Sequence, residues 1–355
     1  MADLQTLEGA QSPSLHSKHN RLILHPSFRE TVTALKDANV SLPRHPNQEE
    51  MTLRTNDLLG GKTRLVRLEE QDRFNLDVSI GEELAASDLL TCAYDESINK
   101  FSALEGTAYY VSHSLVVVTA DRYLPVGLLT LNFYTRSKDI QGKSEFIKFS
   151  NNPSMDSEID YMEDRIRLLT EYVPANSVLF IDGPLIAGDA YVRMIRSMGQ
   201  FHEKLIVPIF FVKNSDSNIV TDNTVELKGK YNSDLHYVHK ILKPGQRTSF
   251  FRYTDLNNPK NSKCFCYLKS MDVGAVRVEF HTETFEMNID QVPSLMNLIH
   301  YLILVQGDRR NPQVRPIAIA EKFARDTLRL VNLDHLMRWT GVTPTMNQER
   351  GMVRQ

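Results

Sequence analysis

Excess positive charge is missing from this sequence: 41 Lys and Arg stand against 44 Asp and Glu, for a formal net charge of −3. That balance excludes a generally basic coat for nucleic acid, so any contact with a polyanion must come from local patches or from a partner's surface. Candidate patches are Lys228-Gly229-Lys230 and Arg309-Arg310 with Arg315, although charge runs of this kind are usually solvated faces. Cysteine is scarce as well. Cys92, Cys264 and Cys266 are too few for a disulfide framework, and Cys264-Phe265-Cys266 reads as part of a strand more than as a metal pattern. Long apolar runs are absent. The longest, Val292 to Val305, is broken by Pro293, Asn297 and His300 and is too short to span a bilayer; it reads as a buried helix with His300 a hydrogen-bonded core histidine. The polar, acidic N-terminus shows no signal peptide. No internal repeat and no P-loop is visible, so the chain is not expected to hydrolyse ATP. These absences leave a soluble protein of the cytoplasm as the expectation.

What is present is a real core. At 41% hydrophobic over 355 residues the chain suits one large domain or two modest ones, at roughly 150 residues each. Residues 1–50 read as a loose polar tail, a helix from Phe28 to Ala38 and a linker, Leu42-Pro43-Arg44-His45-Pro46. Residues 51–355 form the main domain.

The most informative stretch is Ser177 to Gly188, SVLFIDGPLIAG. Val178, Leu179, Phe180 and Ile181 make a short apolar run that ends on Asp182 and breaks at once into Gly183-Pro184, the pattern of a buried central strand. Asp182 then stands at the strand's C-terminal mouth. A partly desolvated carboxylate needs a cation, hydrogen bonds or a proton, and a divalent metal answers that need; a turn or helix cap is the other reading. A second element of the same kind lies upstream, Leu89 to Asp95 (LLTCAYD). After a polar stretch to Gly106, Thr107 to Thr119 and Val126 to Tyr134 also have strand character, so the three predict an antiparallel meander.

Beyond the meander, strands alternate with helices: Asp160 to Tyr172 helical, Val178 to Ile181 a strand, Ala190 to His202 helical, Leu205 to Val212 a strand. Three strands followed by α/β alternation predict a mixed sheet with helices on its faces. A ribonuclease H-like arrangement of that sheet would set Asp95 beside Asp182. On the first helix Ile159, Met162, Ile166, Leu169 and Val173 fall on one face. Glu163 borders that stripe and is the preferred third ligand, with Glu158 the fallback; Asp160 and Asp164 read as surface or dipole charges.

Asp95 with Gly106 and the Tyr109-Tyr110-Val111 run, the carboxylate-bearing helix, IDGPL (Ile181 to Leu185), FVKNS (Phe211 to Ser215) and the segment Ser233 to Ser249 resemble, in order, the motifs of the NurA nucleases. The resemblance runs from about Leu89 to Leu330. It implies a ribonuclease H-like α/β core with helices on both faces and helical N- and C-terminal additions. It also implies a DNA-end-processing nuclease that uses manganese or magnesium and works as a homodimer with a HerA-like hexameric ATPase, in repair or in defence against foreign DNA. By this resemblance Asp95, Asp182 and Glu163 are metal ligands, with a fourth carboxylate near the C-terminus. Two motifs depart from the family. Asp-Gly-Ser becomes Asp95-Glu96-Ser97, and a Tyr-Pro pair followed by His or Asp becomes Asn311-Pro312 followed by Ala320-Glu321, so Glu321 is the candidate fourth ligand.

Such carboxylates suit the chemistry, because hydrolysis of a phosphodiester places charge on attacking and leaving oxygens that metal ions stabilise, and hard cations take oxygen ligands. Lys213, just past a strand end, is the candidate phosphate contact or else a solvated loop lysine. The alternative to a nuclease is a NurA-like adaptor whose altered motifs have lost the metal. Apolar surface for a dimer is expected on the Val292 to Val305 helix or the N-terminal helix.

Overall fold

The computed structural model describes residues 27–40, 63–119, 122–186 and 189–346, and the chain divides into two units, Met1–Pro46 and Asn47–Gln355. The described part of the first unit is helix α1 (Ser27–Val40), over the stretch expected to be helical. The tail before it and the linker at residues 42–46 lie outside the described residues.

In the second unit the chain runs β1 (Thr63–Arg67), β2 (Arg73–Asn75), α2 (Val78–Ala86), β3 (Leu90–Ser102), β4 (Thr107–Val118), β5 (Tyr123–Thr135), α3 (Lys138–Gln141), β6 (Ile147–Phe149), α4 (Pro153–Tyr172) and β7 (Ser177–Asp182). It continues through α5 (Val192–Glu203), β8 (Val207–Val212), α6 (Asp234–Ile241), β9 (Gln246–Thr248), β10 (Phe251–Asp255), β11 (Ser262–Lys269), β12 (Val276–His281), α7 (Thr282–Met287), α8 (Val292–Gln306), α9 (Arg315–Leu328) and α10 (Leu333–Trp339). All the strands join one mixed sheet in the order β1-β10-β11-β12-β8-β7-β3-β4-β5-β6, with β9 added to β11 and β2 to β9.

The expected meander is there as β3, β4 and β5, and β7 and β8 lie parallel to β3 in the order 8-7-3-4-5. Short connections place successive elements side by side, and each β-α-β crossover returns to the same sheet. Strands β7 and β8 read as unbroken apolar runs because both of their faces are covered. On one face Ala93, Val178, Phe180, Ile209 and Phe211 pack against α8 and α9. On the other, Tyr94, Leu179, Ile181 and Phe210 pack against α4 and α5. A third cluster forms under α6, around Phe265 and Tyr267.

Helix α8 turns most of its apolar side into the core, with seven residues buried, and leaves Val305 near its end exposed. His300 is buried and hydrogen-bonded through Nδ1 to Ser270 Oγ at 3.0 Å, a core histidine as expected. Cys264 and Cys266 are free thiols within buried β11. At the other edge of the sheet, β6 pairs only with Phe133 to Thr135 of β5, so Tyr123 to Asn132 has no strand beyond it among the described residues.

Candidate active site

The pairing of β3 with β7 runs from Leu90↔Ser177 to Tyr94↔Ile181, so the next step of the register carries Asp95 beside Asp182. Alternation along the strands decides where they point. Ala93 and Phe180 face α8 and α9, so Asp95 and Asp182 project to that face, at the C-terminal end of the parallel strands. β7 ends there because Gly183 takes a left-handed backbone (φ 97°) that an L side chain would strain. The turn is tied back by Gly183 N donating to Phe211 O at 2.7 Å and to Asp182 Oδ1 at 3.1 Å.

Lys213, one residue past β8, completes the arrangement. Its Nζ lies 2.7 Å from Asp182 Oδ2, donates to Gln313 Oε1 at 2.7 Å and lies 3.7 Å from Glu321 Oε2. Glu321, on α9, also accepts from Gln313 Nε2 at 2.9 Å and pairs with Arg325. Of the residues expected from sequence, Asp95, Asp182, Lys213 and Glu321 are therefore brought to one place. Gln313 and Arg325 were not foreseen. Only Gln313 had a signal, its place directly after Asn311-Pro312.

Asp95 is 8% exposed, and its carboxyl is pushed up to about 8 by burial, then by the neighbouring Asp182 and Glu96 charges, against the Glu96 N–H at 2.8 Å and Lys213. Glu96, the residue that replaces the family's glycine, turns to the opposite face. There burial raises its carboxyl while Arg165 and Tyr94 oppose the shift, and its Oε2 has no partner. Arg165 is buried in α4 and stacks over the Tyr94 ring at 4.9 Å.

Glu163 is not joined to the pair. α4 packs on the face away from Asp95 and Asp182, and the Glu163 side chain is 60% exposed and paired with Arg193 Nε of α5 at 3.1 Å. The stripe beside it is real, since Met162, Leu169 and Val173 are buried, but Tyr161 and Arg165 take the inward positions on either side of it. Glu158 is exposed, Asp160 holds Lys148 at 2.8 Å and Asp164 holds Arg167 at 2.8 Å.

Whether a divalent cation fits can be judged from the charge balance. Burial first, then the Asp182 and Glu96 charges, raise the Asp95 carboxyl, and Asp182 offers a second hard oxygen donor beside it. Two adjacent carboxylates are the donor type that a divalent cation takes. Among the described residues, no group of three or more His, Cys, Asp or Glu is placed to hold a metal, and Lys213 stands between Asp182 and Glu321.

A mixed sheet with acidic residues at the ends of adjacent parallel central strands, and helices over both faces, defines an α/β protein. The NurA domain model matches residues 97–326, more than half of the chain, and the chain belongs to the NurA family. Among solved structures it is similar to the NurA nuclease from Sulfolobus solfataricus, at 9% identity and a TM-score of 0.44 over 86% of this chain and 95% of that one. A structure of NurA with manganese matches at 9% identity and a TM-score of 0.44, covering 86% and 97%. An endonuclease V from Bacillus subtilis matches at 12% identity and a TM-score of 0.35, covering 68% and 81%. No curated protein matches.

Proposed function

We propose that this chain is a metal-dependent deoxyribonuclease, with Asp95 and Asp182 as the central metal ligands. The observation that carries the reading is the side-by-side placement of these two carboxylates at the mouth of the central strands, where burial first and then the Asp182 and Glu96 charges push Asp95 up to about 8. A bound Mn2+ or Mg2+ would supply positive charge at the attacked phosphate and the departing oxygen. Asp95 gives up its proton as a cation comes beside it, since an opposite charge favours the ionised form. Lys213, held by Gln313 and steadied by Glu321, presents its ammonium to a phosphate oxygen.

The family resemblance alone keeps Glu163 as a third carboxylate; it would have to leave Arg193, an exposed pair worth at most about 1 kcal/mol, and reach round the end of the sheet to the other face. The substrate is DNA, and the family resemblance supports a homodimer that acts with a HerA-like hexameric ATPase, in repair or in defence. A titration of Mn2+ and Mg2+ with single-stranded and double-stranded DNA tests the reading; no metal-dependent cleavage of either substrate would sink it. The second reading, an adaptor that does not cut, is favoured by one observation. The Lys213 ammonium already neutralises Asp182 without any metal. Under that reading Lys213→Met leaves assembly with the ATPase intact and there is no cleavage to lose.

A further inference from the structure

On the far side of the sheet from the Asp182–Lys213 contact, Glu279 of β12 is fully buried and takes three donors. Lys263 Nζ lies at 2.6 Å, Arg277 Nε at 2.7 Å and the backbone N–H of Leu185 at 2.8 Å. Leu185 belongs to the turn that directly follows Asp182. The other arm of Arg277, Nη1, donates to Ser215 Oγ at 2.9 Å and to Ser217 Oγ at 2.6 Å, in the turn that directly follows Lys213. One bonded pair on one strand therefore holds the exits of the two strands that carry the Asp182–Lys213 contact.

Stability alone does not account for it. A buried ion cluster of this kind is often matched or bettered by apolar residues of the same volume, whereas the guanidinium fork and the carboxylate fix direction as well as distance. Apart from this network, the turn after β7 is tied by Gly183 N to Phe211 O and to Asp182 Oδ1, and the turn after β8 by Asp234 N donating to Ser217 O at 2.9 Å and by the contact between the Ser215 and Ser217 hydroxyls.

We propose that Arg277 and Glu279 are positioning residues, which hold the turn after Asp182 in register with the turn after Lys213 and so set the 2.7 Å contact between those two side chains. The inference rests on the nuclease reading of that contact. A misplacement of ~1 Å at such a site can cost about a hundredfold in rate, so a network with no contact to substrate still governs turnover.

The test uses the full chain with Mn2+ and a labelled DNA oligonucleotide. Ser215→Ala/Ser217→Ala leaves the buried charges in place and removes the two acceptors of Arg277; Ser215→Thr/Ser217→Thr restores a hydroxyl at each position. In the alanine pair kcat is expected to fall about tenfold with KM within about twofold and the melting midpoint within about 3 °C, and the threonine pair is expected to recover most of kcat. Glu279→Gln, which keeps an acceptor for Leu185, is expected to lower kcat also, but its buried lysine makes it the less stable variant. Wild-type kcat in the folded alanine pair, or equal losses in the alanine and threonine pairs, overturns the proposal. Should the wild type cut no DNA, the nuclease reading fails on its own account. Amide hydrogen exchange then decides the positioning claim: faster exchange at both Leu185 and residues 214–217 in the alanine pair supports it, and unchanged exchange at Leu185 overturns it.

Discussion

A carboxyl group buried at a strand end beside a second carboxylate holds its proton, and Asp95 does so to about pH 8 because burial first, then Asp182 and Glu96, disfavour its charge. In the unfolded chain the same group ionises near pH 4. Below about pH 4 both states are protonated and nothing is lost; from there to about pH 8 only the unfolded state releases its proton, so folding stability declines as pH rises, by on the order of a few kcal/mol. Asp95→Asn has no such proton to hold. In a chelating buffer its melting temperature is therefore expected to exceed that of the wild type at pH 8, with the gap closing toward pH 4. Thermal melts across that range check it, and a constant gap would remove the assignment. In the presence of Mn2+ both Asp95→Asn and Asp182→Asn are expected to lose cleavage, since an amide does not replace a metal-bound carboxylate. A capping role for Asp182 predicts instead a loss of about 1 kcal/mol with cleavage intact.

Elements were legible where period and punctuation agreed. IDGPL marks the end of β7 because the apolar run, the carboxylate and the glycine turn coincide, and the structure ends the strand at Asp182. β3 runs past its expected end at Asp95: Glu96 to Ser102 is a polar stretch, yet it continues as strand because β4 runs opposite it along its full length and Phe101 reaches the core under α9 and α10. Side-chain direction was the harder part. Helical spacing put Glu163 beside the stripe without showing that α4 would cover the other face of the sheet, or that Arg193 would wait for it. Glu163→Gln is expected to leave melting almost unchanged without metal and to reduce Mn2+-dependent cleavage about tenfold or more; full activity would leave the site to Asp95, Asp182 and Lys213. Gly106 shows a purely local demand. A Cβ there would lie 2.3 Å from Tyr134 O and 2.8 Å from the Phe133 ring, so the β4–β5 ribbon closes only over glycine. Gly106→Ala is expected to destabilise the fold by about 1 to 3 kcal/mol in urea unfolding, with no change in the metal requirement of the remaining folded protein.

For the whole molecule, family and sheet type could be read from the order of motifs, but the joining of β9 to β12 and β1 to β2 onto the same sheet could not. Those strands pair across long sequence separations, β1 with β10 and β2 with β9, and no local pattern announces such partners. Charge balance bears on what the molecule needs from outside. With a formal net charge of −3 and no P-loop it has little means of gripping long DNA or moving along it. A ring-shaped translocase would raise the local concentration of substrate at the site. Co-expression with a HerA-like ATPase followed by size-exclusion chromatography with light scattering is expected to give a joint complex. A chain that never co-elutes yet digests long duplex processively would argue against it.

The stretch of β5 that β6 leaves uncovered has a consequence for handling the protein in concentrated solution. From Tyr123 to Asn132 it contains no charged residue, and Leu124, Leu129 and Leu131 are exposed. Among the described residues this edge lacks the lysines and inward charges that keep natural sheet edges from sticking to one another, and Pro125 is its guard. Colloidal behaviour should then be governed by this ribbon more than by net charge. Leu129→Lys/Leu131→Lys is expected to raise the concentration at which turbidity appears while leaving the melting midpoint within about 3 °C; an unchanged threshold would place the sticking surface elsewhere.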